Sequence, residues 1–227
     1  TSAAAAAAAA ERAVLALFGQ CVRGVAHLHA QTPPLAHRDV KAENFLLGPD
    51  NRVKLCDLGS ATARHGTVAD ARAATLAAEE LRRYTTPQYR APEQVDLHTH
   101  RTLGPPVDVW ALGCLLYKLF YGATPFEETA GPEIGNASPL RIGGADVRFP
   151  PQGPHGDVSE GTKRLMLSLL QVDQARRPSC ARVLAALEPL LLLRGRGGGG
   201  GGGGAGGGAR EHGRGRLRRV LRGVNQR

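Results

Sequence analysis

A mainly α fold carrying one short β-hairpin is what this sequence predicts, and three observations carry the expectation. Apolar residues recur three or four positions apart over Glu11 to Ala30, Thr162 to Val172 and Cys180 to Leu193, the spacing that lines one face of a helix. The stretch from Val107 to Tyr121 is apolar nearly all round, as a helix buried on most of its surface would be. Two short apolar pieces, Phe45 to Leu47 and Val53 to Cys56, flank the turn-rich Gly48-Pro49-Asp50-Asn51 and read as a hairpin.

In order, Ala3 to Ala10 is a poly-Ala run of high helix propensity, read as the frayed start of the first helix. Val14, Leu17, Phe18, Cys21, Val25 and Leu28 form that helix's buried stripe, and Pro33-Pro34 stops it. Ala61 to Arg83 is rich in Ala, Arg and small polar residues with weak periodicity, and reads as a mobile loop partly folded as helix. Val107 to Tyr121 is the expected central helix, with the only tryptophan, Trp110, inside. A Gly/Pro-rich loop is expected from Gly122 to Pro154, then two amphipathic helices using Leu165, Met166, Leu169 and Leu170, and Val183, Leu184, Leu187 and Leu191. Beyond Arg194 the Gly-rich and then Arg-rich chain buries too little surface to offset its entropy and is read as disordered.

The 42% apolar content allows a real core in a chain sized for one large or two small domains, and the 4% aromatic share predicts an aliphatic one. The net charge of +9 is local: nine of the 29 basic residues and one of the 20 acidic ones lie in 194–227, leaving 20 basic against 19 acidic in a nearly neutral body. That tail offers a surface to RNA, anionic lipid or an acidic protein, although Gly with Arg and no interleaved aromatics fits compositional drift as well. Cys21, Cys56, Cys114 and Cys180 show no CxxC spacing, which predicts a reducing intracellular setting without structural disulfide or zinc. Val107 to Tyr121, the longest apolar candidate for a membrane span, contains Asp108 and Lys118, so no span is expected. His98 and His100 read as solvated loop residues rather than ligands. The chain begins at Thr1 with Met166 as its only methionine, so an upstream segment is expected.

The chemistry concentrates in His37 to Asn44, HRDVKAEN. Phosphoryl transfer needs a carboxylate to orient the attacking hydroxyl, a cation beside the moving phosphate and a side-chain oxygen for Mg²⁺. Asp39, Lys41 and Asn44 are residues of those three types, and another carboxylate, Asp57, follows the second hairpin piece. The string resembles the catalytic loop of eukaryotic protein kinases, HRDLxxxN with Val40 for Leu, and Asp57-Leu58-Gly59 resembles the kinase DFG with Leu for Phe. Ala91-Pro92-Glu93 matches the motif ending the activation segment. The finer strings, Pro33 to Asp39, Lys54 to Thr62, Tyr84 to Asp96 and Asp108 to Lys118, resemble the Numb-associated group, which includes the adaptor-associated, cyclin-G-associated and yeast actin-regulating kinases.

The resemblance implies the helical C-lobe of a protein-kinase-like fold over 11–193, between an Ala-rich lead-in at 1–10 and the tail at 194–227. It implies ATP and Mg²⁺ as cofactors. Asp39 and Lys41 would be catalytic, and Asn44 and Asp57 would hold the metal. Leu46 would floor the adenine, with Cys56 and Asp57 facing the nucleotide. Thr86, Pro87 and Tyr89 would belong to the loop that holds the peptide substrate, Thr86 bonding Asp39 and Lys41. Structural roles fall to His37, expected against Leu58, to Asp108, expected to cap the catalytic-loop backbone, and to Glu93 paired with Arg177. Arg38 would meet an activation-segment phosphate on Thr67 or Thr75, or be left without one. No glycine-rich phosphate loop, strand lysine or partnering glutamate precedes Glu11, so the N-lobe is expected to be absent and the chain weakly active or inactive alone. The implied function is Ser/Thr protein phosphorylation of clathrin-adaptor subunits, in the cytoplasm at endocytic membranes. Two other classes stand beside it: a pseudokinase-like scaffold or C-lobe fragment acting as a binding module, and nucleic-acid or anionic-membrane binding through the tail.

Overall fold

The structure, a computed structural model, describes residues 3–99, 102–128, 133–151 and 158–192. His100, Leu193, the Arg-rich tail and parts of the 122–154 loop lie outside the described residues. The fold is mostly helical with two small two-stranded sheets.

Helix α1 (Ala3–His29) takes in the alanine run and buries the expected stripe from Val14 to Leu28, with Leu15 and Val22 buried as well. By length and composition α1, not the 107–121 stretch, is long and apolar enough to cross a membrane. Its alanines supply much of that apolarity, while its larger side chains join the core beside the last helix and the hairpin. The chain turns back through Leu35, whose N–H donates to Leu28 O, and a two-bond bridge between Ala36 and Thr62 brackets the segment that follows.

Strands β1 (Phe45–Leu47) and β2 (Val53–Leu55) pair antiparallel with Leu46 opposite Lys54. Asn51, with φ of 60°, supplies the left-handed residue of their turn. Gln20 of α1 locks the hairpin by accepting from Val53 N at 3.0 Å and donating to Asn51 O at 3.4 Å. Gly24 lets α1 approach, since a Cβ there would sit 3.2 Å from Leu55 Cβ.

The 61–83 stretch is partly helical, as expected, and more regular than a loop. It contains β3 (Gly66–Thr67) and then a full helix, α2 (Ala71–Tyr84), started by Asp70, whose side chain accepts from Ala73 N at 2.7 Å. The short α3 (Pro92–Val95) follows, and β4 (Thr102–Leu103) pairs with β3. Helix α4 (Pro106–Tyr121) is the central helix, Trp110 fully buried and stacked on Phe126 with centroids 5.2 Å apart. Gly122 ends it in the left-handed conformation at φ 85°. The expected loop beyond it carries a one-and-a-half-turn helix, α5 (Pro139–Gly144), and then α6 (Glu160–Leu169) and α7 (Cys180–Leu192) complete the core.

Helix α4 crosses α6 at Gly113, where an added Cβ would fall 2.8 Å from Leu170 Cδ2, 2.9 Å from Leu170 Cγ and 3.0 Å from Leu169 Cβ. Two of those atoms are not flexible side-chain ends, so overpacking should cost about 1–3 kcal/mol and exceed the helix-propensity gain of an alanine. Gly113→Ala is therefore expected to lower the urea midpoint. Gly143→Ala, in open space on α5, should leave it unchanged or raise it, and equal responses at the two sites would contradict the packing argument.

Candidate active site

The His37–Asn44 loop lies between the Ala36–Thr62 bridge and β1, and one buried carboxylate fixes its backbone. Asp108, fully buried near the start of α4, accepts from His37 N through Oδ2 and from Arg38 N through Oδ1, both at 2.7 Å. His29 Nε2 lies 2.8 Å from the same Oδ2. With Arg38 held at φ 68°, a conformation that costs an L residue energy, these bonds hold the turn in place. Ser60 Oγ donates to His37 O at 2.6 Å and ties in the chain just past Asp57.

His37 is fully buried and its ring is oriented by backbone: Nε2 lies 3.1 Å from Cys56 O, and Asp39 N donates to Nδ1 at 3.3 Å. The expected cover from Leu58 is not there. Asp57 adopts φ 60°, ψ 70°, and Leu58 turns outward to stand 55% exposed. Leucine lacks the aromatic face that would reward closing over the imidazole, and the Cys56 carbonyl already satisfies the buried ring.

Three side chains meet around Asp39. Lys41 Nζ lies 2.7 Å from Oδ2 and donates to Thr86 Oγ1 at 2.9 Å, while Thr86 Oγ1 donates to Asp39 Oδ1 at 2.7 Å. Asn44 Nδ2 donates to Asp39 O at 2.7 Å and to Oδ2 at 3.2 Å. Partial burial works against the Asp39 carboxylate, but Lys41, Thr86 and Asn44 together outweigh it and hold the pKa below the ordinary aspartate value. Asp39 is thus charged at neutral pH. The stability it adds is fully present above the ordinary aspartate pKa of about 3.9 and is lost as pH falls through the lowered value.

Asp57 and Gly59 share with Asp39, Lys41 and Thr86 an open cleft of about 260 Å³, lined also by Ser60, Arg83, Tyr84 and Thr85. The exposed Asp57 carboxylate accepts from Gly59 N at 3.3 Å. Both bonds made by Asn44 use its amide nitrogen, leaving Oδ1 as the atom able to meet a cation. Among the described residues no group of three or more His, Cys, Asp or Glu converges as a self-sufficient metal site. A carboxylate plus an amide oxygen instead suits Mg²⁺, which is usually held by one or two carboxylates together with substrate phosphates. Asp57, which lines the cleft, and Asn44, which is bonded to Asp39, are side chains of the types that suit that ion.

Leu46 and Cys56 do not line this cleft. Leu46 is 56% exposed on β1, and the partly buried Cys56 thiol donates to Asn44 O at 3.2 Å, so it turns back toward the loop. Pro87 and Tyr89 belong to the turn closed by Tyr89 N on Thr86 O at 3.0 Å; Pro87 is exposed, whereas Tyr89 is buried with Lys118 Nζ over its ring at 5.7 Å. Glu93 and Arg177 form a buried two-bond pair, Nη1 to Oε1 at 2.6 Å and Nη2 to Oε2 at 2.7 Å.

Arg38 has a partner the sequence did not reveal. Its Nε donates to Ser60 O at 2.6 Å, its Nη1 meets Glu80 Oε1 of α2 at 2.5 Å, and its guanidinium lies 5.6 Å from the centre of the Tyr84 ring. The site expected to receive a phosphate from Thr67 or Thr75 is occupied by a glutamate. Ser60, Glu80, Tyr84 and His29 are the residues that sequence reasoning missed. Asp70 before an Ala-rich run was the available signal for α2, and hence for a residue on its inner face.

Comparison with known proteins agrees with this geometry. Residues 3–187 match the family model for the protein kinase domain. The serine/threonine-protein kinase ppk30 of Schizosaccharomyces pombe is 36% identical over 174 residues, covering 77% of this chain and 17% of the relative. A probable serine/threonine-protein kinase of Dictyostelium discoideum is 38% identical over 170 residues, 74% of this chain and 20% of its own length. Actin-regulating kinase 1 of Saccharomyces cerevisiae is 34% identical over 171 residues, 75% of this chain and 25% of its own. The chain thus spans a quarter or less of these relatives.

Proposed function

Because this chain belongs to the protein kinase domain family and is by family a serine/threonine protein kinase, we propose that it forms the helical lobe of a Numb-associated-type kinase that phosphorylates Ser and Thr hydroxyls of proteins. The observation that carries the reading is the bonded cluster of Asp39, Lys41, Asn44 and Thr86. When bound, Mg·ATP supplies the phosphoryl group and the cations that neutralise its charge. Asp39 orients the substrate hydroxyl and accepts its proton as that oxygen bonds to the γ-phosphorus, whose bond to the bridging oxygen breaks to release ADP. Lys41, two residues beyond the carboxylate, steadies the phosphoryl group and favours Ser/Thr over Tyr substrates. Asn44 and Asp57 hold the metal, and Thr86 couples the catalytic carboxylate to the turn that receives the peptide. Clathrin-adaptor subunits as substrates and a cytoplasmic setting at endocytic membranes are proposed from the resemblance of the motif strings to the Numb-associated group, to which actin-regulating kinases such as the yeast relatives belong.

The 227-residue chain by itself is expected to transfer little phosphate. Leu46 offers one side of an adenine site and stands 56% exposed, and no phosphate-clamping lysine precedes Glu11. Radiolabelled transfer to a generic protein substrate is the measurement. Robust incorporation by the isolated chain would show that the clamping groups are dispensable.

A further inference from the structure

One wall of the active-site cleft takes no part in the phosphate-transfer scheme. Arg83, Tyr84 and Thr85, at and just beyond the C-terminal end of α2, line it together with Asp39, Lys41 and Asp57. The other cations near the cleft have assigned partners. Lys41 pairs with Asp39 and Arg38 with Glu80, while Arg90 donates to Thr85 Oγ1 and Leu81 O. Arg83 differs. It is exposed, its guanidinium stacks on the Tyr84 ring 5.3 Å from the centroid, and no carboxylate among the described residues pairs with it.

Stacking on a ring fixes the plane of a guanidinium while leaving its N–H edges free for a planar anion. The exposed Arg82 adds a second positive charge to the same last turn of α2. Arg83 also lies three residues before Thr86, on the strand of chain that leads into the peptide-holding turn, and not on the hairpin that carries the nucleotide-side residues.

We propose that Arg83, stacked on Tyr84 and reinforced by Arg82, reads an acidic group close to the phosphoacceptor of the peptide substrate. This rests on the kinase reading of the site. The shared chemistry is an oxyanion with two or more oxygens, either the carboxylate of Asp or Glu or the phosphate of a residue already modified.

The test is fluorescence anisotropy of labelled Thr peptides with the 227-residue chain, placing Asp, Asn or Lys in turn at each position flanking the acceptor, and phosphoserine at the best of them. At one position Asp is expected to bind about threefold to tenfold more tightly than Asn, with Lys weakest, a range typical of a solvent-accessible charge-assisted pair. Arg83→Glu should reverse that order. The Arg-rich tail is common to both proteins and cancels in the comparison. A further gain with phosphoserine identifies a phosphate reader, and equal binding a carboxylate reader. Loss of all peptides alike in Arg83→Glu, no dependence on charge position, no peptide binding, or a change in nucleotide binding alone would overturn the proposal. Binding preference needs no phosphate transfer, so failure of the kinase reading would show separately, if this chain joined to the N-lobe of a Numb-associated kinase bound Mg·ATP yet transferred no phosphate with Asp39 intact.

Discussion

Asp39→Asn, in a chimera joining this chain to the N-lobe of a Numb-associated kinase, is expected to cut turnover about a hundredfold to ten-thousandfold with Mg·ATP affinity nearly unchanged. The substitution keeps size and shape. It removes the charge that Lys41 meets at 2.7 Å and the oxygen basicity that takes the hydroxyl proton. Asn44 still reaches Asp39 O, a backbone atom, so the loop should hold its course. Asp57→Asn provides the contrast, because a lost metal-binding carboxylate weakens Mg·ATP binding along with turnover. A folded chimera that binds Mg·ATP yet is inert with Asp39 intact would favour the scaffold reading, and full turnover in Asp39→Asn would remove Asp39 from the mechanism.

The largest stability effect is expected at Arg177. Its side chain is fully buried and makes two bonds to Glu93, one to Gln171 O at 2.8 Å and one to Pro106 O at 2.9 Å, with its guanidinium 5.2 Å from the centre of the Trp110 ring. Arg177→Met should cost about 3–5 kcal/mol, because it leaves the Glu93 carboxylate buried and uncompensated and orphans two carbonyls. The double variant Glu93→Leu/Arg177→Met should recover part of that loss, since no lone buried charge remains. Urea denaturation followed by circular dichroism measures both. A loss below about 1 kcal/mol in the single variant would mean that water enters and solvates Glu93.

The helices were legible wherever burial imposed a period. Val14 to Leu28 repeats every three or four residues because one face of α1 meets the core, and Val107 to Tyr121 is apolar nearly all round because α4 is enclosed. Helix α2 escaped this reasoning for a physical reason: of its residues only Ala74 and Leu81 are buried, and Leu76 stands 59% exposed, so burial wrote almost no pattern into it. The site divides in the same way. Asp39, Lys41 and Asn44 are neighbours in sequence and could be read as one chemical group. Glu80 lies 42 residues from Arg38, and their pairing depends on how α2 docks, which no local pattern encodes. Leu58 misled because its position was read by analogy with an aromatic residue, whereas the left-handed Asp57 backbone and the small aliphatic side chain leave it in solvent.

The Arg38–Glu80 contact also determines what can undo it. A phosphate group is added after synthesis and can be taken off again by a phosphatase, so a segment it orders has a history. A glutamate is present as soon as the chain leaves the ribosome, and hydrolysis cannot erase it. Glu80 is about half exposed and carries a single charge, so the contact is modest in strength and responsive to ionic strength, but it does not depend on the balance of modifying enzymes around it. The Arg38–Glu80 contact itself therefore carries no record of earlier phosphorylation.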